Sequence, residues 1–169
     1  NPEYNEIYLN PRLNFNAYDK VLVGLNFRNT SFFERKFTYS FTPFYSSGTG
    51  KLTGSGGVAY SFQPANSFYR NLDLGVSASH FHYDYDLTYR RFGASATMAL
   101  NKNPRSQIGS NIIVSYNHFD RELSEAMQLK NDYSKYNIWN FGFIYSENNV
   151  ILEKYLFSNF QVMEDYQKL

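Results

Sequence analysis

Residues 36–62 read KFTYSFTPFYSSGTGKLTGSGGVAYSF, two alternating runs around a turn rich in Gly and Ser. In the first run Phe37, Tyr39, Phe41, Pro43 and Tyr45 fall on one side, with Thr38, Ser40 and Thr42 on the other. In the second, Leu52, Gly54, Gly56, Val58, Tyr60 and Phe62 share a side, opposed by Thr53, Ser55, Gly57, Ala59 and Ser61. Successive strand side chains point to opposite faces. The stretch therefore predicts a hairpin with an aromatic wall on one face and small hydroxyl groups on the other. A soluble hairpin would turn the wall into a dry core, whereas a membrane barrel turns it outward to lipid.

Working outward, the same alternation recurs. Leu13, Phe15 and Ala17 alternate with Asn14 and Asn16, and Tyr18-Asp19-Lys20 reads as a tight turn. Val21, Val23, Leu25 and Phe27 form a stripe opposite Gly24, Asn26 and Arg28. Further stripes are Leu72 to Ala78, Phe92 to Leu100, Ile108 to Tyr116, and Trp139 to Tyr145, each facing Gly, Ser, Thr or Asn. The run from Val150 to Met163 mixes phases and its faces stay unassigned. About nine strands near the length of a tilted membrane strand are expected. Leu123 to Lys130 is a weak helix candidate within a polar connection running from Phe119 to Lys135.

Evenly spaced alternating strands predict an all-β antiparallel fold, here one unit over residues 1–169. Two features point to an up-and-down transmembrane β-barrel. Short turns are expected at 64–67, 101–106 and 146–149, with the long connection on the opposite side, as in outer-membrane barrels. The apolar stripe of residues 72–78 also gives way to Phe81, Tyr83 and Tyr85, and the returning strand switches phase at a matching height. That pattern predicts either a bulge or the end of an apolar band.

Composition narrows the function classes. The chain has 16 Tyr, 16 Phe and 1 Trp, yet only 18% charged residues, below the roughly 25% usual in globular chains. The net charge of +1 is scattered, so no basic stripe marks a nucleic-acid binder. No Cys is present, which excludes disulfides and thiolate metal sites. No apolar run approaches the roughly 18 residues of a spanning helix, and no leader-like segment opens the sequence.

The sharpest chemical candidate is His80, His82, Asp84 and Asp86, four polar groups on one strand face. Imidazole and carboxylate can hold a divalent metal, but ligands at i, i+2 do not close a coordination sphere by themselves. The plainer reading is a polar face beside an aromatic rim, its carboxylates paired by Arg90 and Arg91. His118 beside Asp120 and Arg121 offers a His–Asp pair with no nucleophile in evidence. SGTGKLTGSGG lacks the strand–loop–helix setting of a phosphate loop, so turn and packing glycines account for it. No catalytic, cofactor-binding or metal residue is assigned, and no cofactor is expected.

Several strings carry a more specific likeness: FNAYDKVLVGLNF (15–27), FTYSFTPFYSSGTGKLTGSGGVAYSF (37–62), FHYDYDLTYRRFGASA (81–96), NPRSQIGSN (103–111) and NFQVMEDYQKL (159–169). Together they resemble the C-terminal outer-membrane barrel of large Bacteroidetes proteins in which a gluzincin-type metallopeptidase region precedes the barrel. The resemblance implies a bacterial outer-membrane location. The polar end at Leu169 without a terminal aromatic, and an odd count of about nine strands, lead to the expectation of a barrel segment continuing beyond these ends. Its zinc motif has no counterpart, because the histidines are 80, 82 and 118 and none lies at i, i+4.

The expected function is to span the bilayer and anchor a larger protein or assembly without catalysis in the segment itself. The expected partners are outer-membrane lipid and further strands of the same chain or other subunits, with no nucleic acid. One alternative is the membrane part of a surface metallopeptidase whose zinc site lies elsewhere. Another is a soluble lipocalin-like barrel with its aromatics around an apolar ligand. Phe37, Tyr39, Phe41, Tyr60, Phe62, Trp139, Phe141 and Phe143 are expected to face lipid. Arg in place of Phe41 or Phe141 should then cost about 2–4 kcal/mol near the midplane, and Ser40→Ala should be almost silent.

Overall fold

The computed structural model describes residues 6–30, 35–65, 67–84, 87–100, 107–130, 132–148 and 153–165. Nine strands follow one another in space as in sequence: β1 (Tyr8–Asn16), β2 (Lys20–Arg28), β3 (Phe37–Ser46), β4 (Leu52–Phe62), β5 (Asn71–Asp84), β6 (Leu87–Ala99), β7 (Ile108–Arg121), β8 (Lys135–Asn148) and β9 (Glu153–Asp165). Every neighbouring pair is antiparallel, and β1 and β9 are the two edges of a single open sheet. The expected all-β, up-and-down architecture is what the chain adopts.

Strand lengths grow from 9 residues in β1 to 14 in β5, β7 and β8. At about 3.4 Å per residue that is roughly 30–48 Å. Between β7 and β8 lies the helix α1 (Glu125–Leu129), capped by Ser124, whose hydroxyl accepts the Met127 N–H. The weak helical signal in that connection was real.

Pairing lines the residues up in rows across the sheet. One row holds Phe62, Leu72, Met98, Ile112 and Phe143. The next holds Phe37, Tyr60, Leu74, Ala96, Val114, Phe141 and Phe160. A third holds Tyr39, Val58, Val76, Ala94, Tyr116, Trp139 and Val162. These rows make one face continuously apolar. In β9 the pairing resolves the phase that sequence left open: Leu156, Phe160 and Val162 join the apolar face, and Phe157, Asn159 and Gln161 the other.

The opposite face is small and polar, and cross-strand hydrogen bonds lace it together. Asn26 Nδ2 donates to Ser40 Oγ (2.9 Å) and Thr42 Oγ1 (2.7 Å), and Asn140 Nδ2 donates to Ser115 Oγ (3.2 Å). Ser40 is thus a hydrogen-bond partner of the buried Asn26, so Ser40→Ala removes a contact and is not the silent change that alternation alone suggested.

With one layer of sheet there is no second layer to form a core. Among the described residues, buried apolar side chains are Leu22, Phe44 and Ala99. Phe15, Val23, Leu25, Phe37, Phe41, Tyr60, Phe62, Leu74 and Phe141 are all exposed. Along β2 the odd positions Val21, Val23 and Leu25 are open while Leu22 and Asn26 are buried, so the polar face is the more shielded there. The chain exposes 12248 Å², against roughly 8,600 Å² for a compact soluble monomer of this length.

Two expectations about the ends of the sheet do not hold. The turn placed at 146–149 is strand through Asn148, because Ser146 and Glu147 pair with Gly109 and Ile108. The two ends also do not sort into short turns and long loops. The chain passes from β1 to β2, β3 to β4 and β5 to β6 at the same end as from β7 to β8, and from β2 to β3, β4 to β5 and β6 to β7 at the other; the turn expected at 101–106 lies outside the described residues. Turn residues mark where a strand can stop, but ladder pairing decides where it does.

Candidate functional site

The chemistry-bearing side chains gather where the apolar rows end. Beyond the row Phe41, Gly56, Ala78, Phe92, His118 and Asn137 comes the row Pro43, Gly54, His80, Arg90, Asp120 and Lys135. Pairing of β5 with β6 runs unbroken from Asn71↔Ala99 to His82↔Thr88, and the register shifts only between His82 and Asp84. His80 and His82 therefore stay in phase with Leu72 to Ala78. Of the two sequence expectations the band end is what occurs: apolar residues give way to polar ones on an unchanged face.

Across that boundary Phe81 stacks on Tyr89 (6.2 Å between centroids), filling the opposite face. Tyr83 then anchors the long connection: its hydroxyl donates to the Glu122 carbonyl and approaches Met127 Sδ at 3.8 Å. The Glu122 carboxylate accepts the Thr88 N–H at 2.9 Å, and the Glu122 N–H donates to the Thr88 carbonyl, also at 2.9 Å. The Thr88 N–H lowers the Glu122 carboxyl below its ordinary 4.5, outweighing partial desolvation.

His80 and His82 lie side by side, with ring centroids 6.1 Å apart. His82 turns to the β1–β2 turn, where its Nδ1 lies 2.9 Å from Asp19 Oδ1, both side chains being fully shielded. The contact is close in distance but poorly aligned as a hydrogen bond, and His82 Nε2 has no partner among the described residues. Asp19 is well held. Asn16 Nδ2 and Thr49 Oγ1 each donate to its carboxylate at 3.0 Å, and Ser46 Oγ donates to its carbonyl at 2.9 Å. Burial pushes the Asp19 carboxyl up, but the hydrogen bonds from Asn16, Ser46 and Thr49, with the charge of His82, bring it below its ordinary 3.8. A turn three strands away in the sheet is thereby pinned to β5.

The four candidate metal ligands, which the plainer reading already disfavoured, are not brought together among the described residues. His82 faces Asp19, Asp84 follows the register shift, and Asp86 lies outside the described residues. No group of three or more His, Asp or Glu side chains able to share a metal occurs among the described residues.

The expected pairing of those carboxylates with Arg90 and Arg91 involves Asp86, which lies outside the described residues; Arg90 and Arg91 themselves stand on opposite faces. Arg91 Nε donates to Asn117 Oδ1 at 2.9 Å and its guanidinium lies 5.9 Å from the centre of the Phe119 ring. His118 and Asp120 share a face without forming a catalytic pair. His118 Nδ1 lies 2.7 Å from Asn137 Oδ1, and Asp120 is 3.7 Å from Lys135 Nζ. Arg121 turns away to the Tyr133 carbonyl (2.8 Å) and to Asp132.

The glycine-rich run does the structural work expected of it. Gly50 sits at φ +67° in the β3–β4 turn, a conformation that favours glycine. At Gly56 a Cβ would lie 2.4 Å from the Phe41 ring, so that ring is seated on bare backbone.

All eight residues expected to face lipid stand on the apolar face. Phe37, Phe41, Tyr60, Phe62, Phe141 and Phe143 are exposed, whereas Tyr39 and Trp139 are partly covered by neighbouring rings. Tyr39 lies 6.2 Å from Phe37 and 6.0 Å from Phe41, and Trp139 lies 4.6 Å from Tyr116. Sequence reasoning missed Asp19, whose partner is 63 positions away, and Glu122, whose role depends on Thr88. Neither leaves a local signal.

The fold thus defines an all-β chain whose up-and-down sheet has one apolar and one polar face. No family model matches it, no curated protein matches it, and no solved structure matches it.

Proposed function

We propose that this chain supplies strands of an outer-membrane β-barrel, of the kind its sequence resembles, that spans the bilayer and anchors a larger protein or assembly. The carrying observation is the apolar face: three full rows of aromatic and aliphatic side chains, unsheltered by any second layer. Water would penalise that surface by about 25 cal/mol for each Å², and lipid removes the penalty. The soluble ligand-binding alternative needs the aromatic wall on the sheltered side, and Phe37, Phe41, Tyr60, Phe62, Phe141 and Phe143 lie on the open one.

The two edges support a larger closed structure. A membrane strand must satisfy its backbone N–H and C=O groups internally, so an open edge is not tolerated in hydrocarbon. β1 and β9 each have one neighbour. In this reading further strands, from the same chain or another subunit, complete the barrel.

The test is gel mobility of the native protein extracted from membranes in detergent, with and without boiling. A heat-dependent shift is expected. Recovery of the protein without detergent, and no shift on boiling, would overturn the reading.

A further inference from the structure

The apolar face is not uniformly filled. Between the rings of Phe41 and Phe92, positions 56 and 78 carry only Gly and Ala, and Gly54 continues the gap into the polar row. The result is an open hollow of about 1030 Å³, at the upper end of the roughly 300–1,000 Å³ typical of small-ligand sites. Its floor and walls are apolar at the end toward the middle of the band, and His80 and Arg90 stand at the other end.

Those two groups want an acceptor. Among the described residues Arg90 makes no ion pair or hydrogen bond, although it is exposed beside a low-dielectric wall. His80 lines the same end of the hollow, its Nδ1 shielded and without a partner among the described residues. Among the described residues Asp120 pairs with Lys135 at 3.7 Å, Glu122 accepts the Thr88 N–H at 2.9 Å, and Asp19 faces His82. A guanidinium fork and an imidazole N–H suit a phosphate oxygen.

Resting on the reading of this face as lipid-facing, we propose that the hollow is a binding site for one anionic phospholipid. An acyl chain lies over Gly56 and Ala78 between Phe41 and Phe92, and the phosphate is bound by Arg90, beside His80. The position suits it, since the site straddles the line where apolar rows meet the polar row. A lipid lying there fills the gap in the wall and gives the Arg90 guanidinium an acceptor.

Native mass spectrometry of the intact protein in neutral detergent tests this, titrating phosphatidylglycerol against phosphatidylcholine of identical chains. The wild type should prefer phosphatidylglycerol by about tenfold, the equivalent of one charge-assisted contact. Both lipids carry the phosphate, and only phosphatidylcholine neutralises it with its own cation, so Arg90→Gln should abolish the preference and weaken phosphatidylcholine binding to a smaller extent. Ala78→Leu, which fills the floor at an exposed position, should weaken both lipids. Equal binding of the two lipids by the wild type, or a preference surviving Arg90→Gln, would overturn the proposal. Displacement of the lipid by inorganic phosphate at millimolar concentration would overturn it too, showing an anion site without an acyl-chain site. The boiled and unboiled gel on the same samples separates the two readings. A protein that shifts on heating but shows no lipid preference sinks this inference alone; one that needs no detergent sinks the membrane reading as well.

Discussion

Phe141→Arg puts the orientation of the sheet to a quantitative test. Phe141 lies in a full apolar row between Val114 and Phe160, and 44% of it is exposed. With a Phe side chain burying about 200 Å² in total, the open part is roughly 90 Å². At about 25 cal/mol for each Å², moving that part from lipid to a polar setting is worth about 2 kcal/mol. An Arg at the bilayer midplane is expected to cost about 2–4 kcal/mol, so the estimate from exposure falls at the lower end. In water the methylenes of Arg would cover much of the same surface, and the cost would stay below about 1 kcal/mol. Asn159→Arg, an exposed site on the polar face of β9, is the control and should remain within about 0.5 kcal/mol of wild type. The assay is urea unfolding in phospholipid vesicles followed by far-ultraviolet circular dichroism, which does not depend on the nearby Trp139. Equal costs at positions 141 and 159 would refute the assignment of faces.

Three further outcomes are expected. Asp19→Asn should destabilise the protein at pH 7 by about 1–3 kcal/mol, because buried donors lose a charged acceptor. Since the Asp19 carboxyl is lowered on folding, its stabilisation is present above 3.8 and is lost as pH falls through the folded value; the variant should lose that part of the acid transition, read by unfolding at pH 7 and pH 3. Gly24→Ala places a Cβ 2.4 Å from the Pro43 carbonyl oxygen, a backbone atom with nowhere to move, so about 1–3 kcal/mol of destabilisation is expected in the same unfolding assay. Glu122→Gln weakens the tether to the Thr88 N–H, so limited proteolysis should cut faster within residues 122–134; wild type should approach that rate as pH falls below 4.5 through the lowered carboxyl value.

Much of the fold was legible because a strand writes its two faces into a period of two. Phe37, Tyr39 and Phe41 against Thr38, Ser40 and Thr42 declared both strand and face, and the same rule located β2, β5, β6, β7 and β8. It failed in β9, where Tyr155, Leu156 and Phe157 run consecutively and only pairing with β8 sets the phase. It also misjudged strand ends, since Ser146 and Glu147 look like turn residues yet are paired with β7.

Alternation, aromatic content and turn chemistry are local properties, so residues 36–62 alone dictate a two-faced antiparallel hairpin. What depends on contacts far apart in the chain was left to tertiary structure. His80 and His82 carried a metal-site pattern until the β1–β2 turn brought Asp19 against His82, and the matched phase change became a band edge once the β5–β6 ladder proved unbroken as far as His82. The hollow over Gly56 and Ala78 has the same origin. Small residues on two strands mean little singly, and only the register that sets them side by side, between Phe41 and Phe92, turns missing side chains into a space.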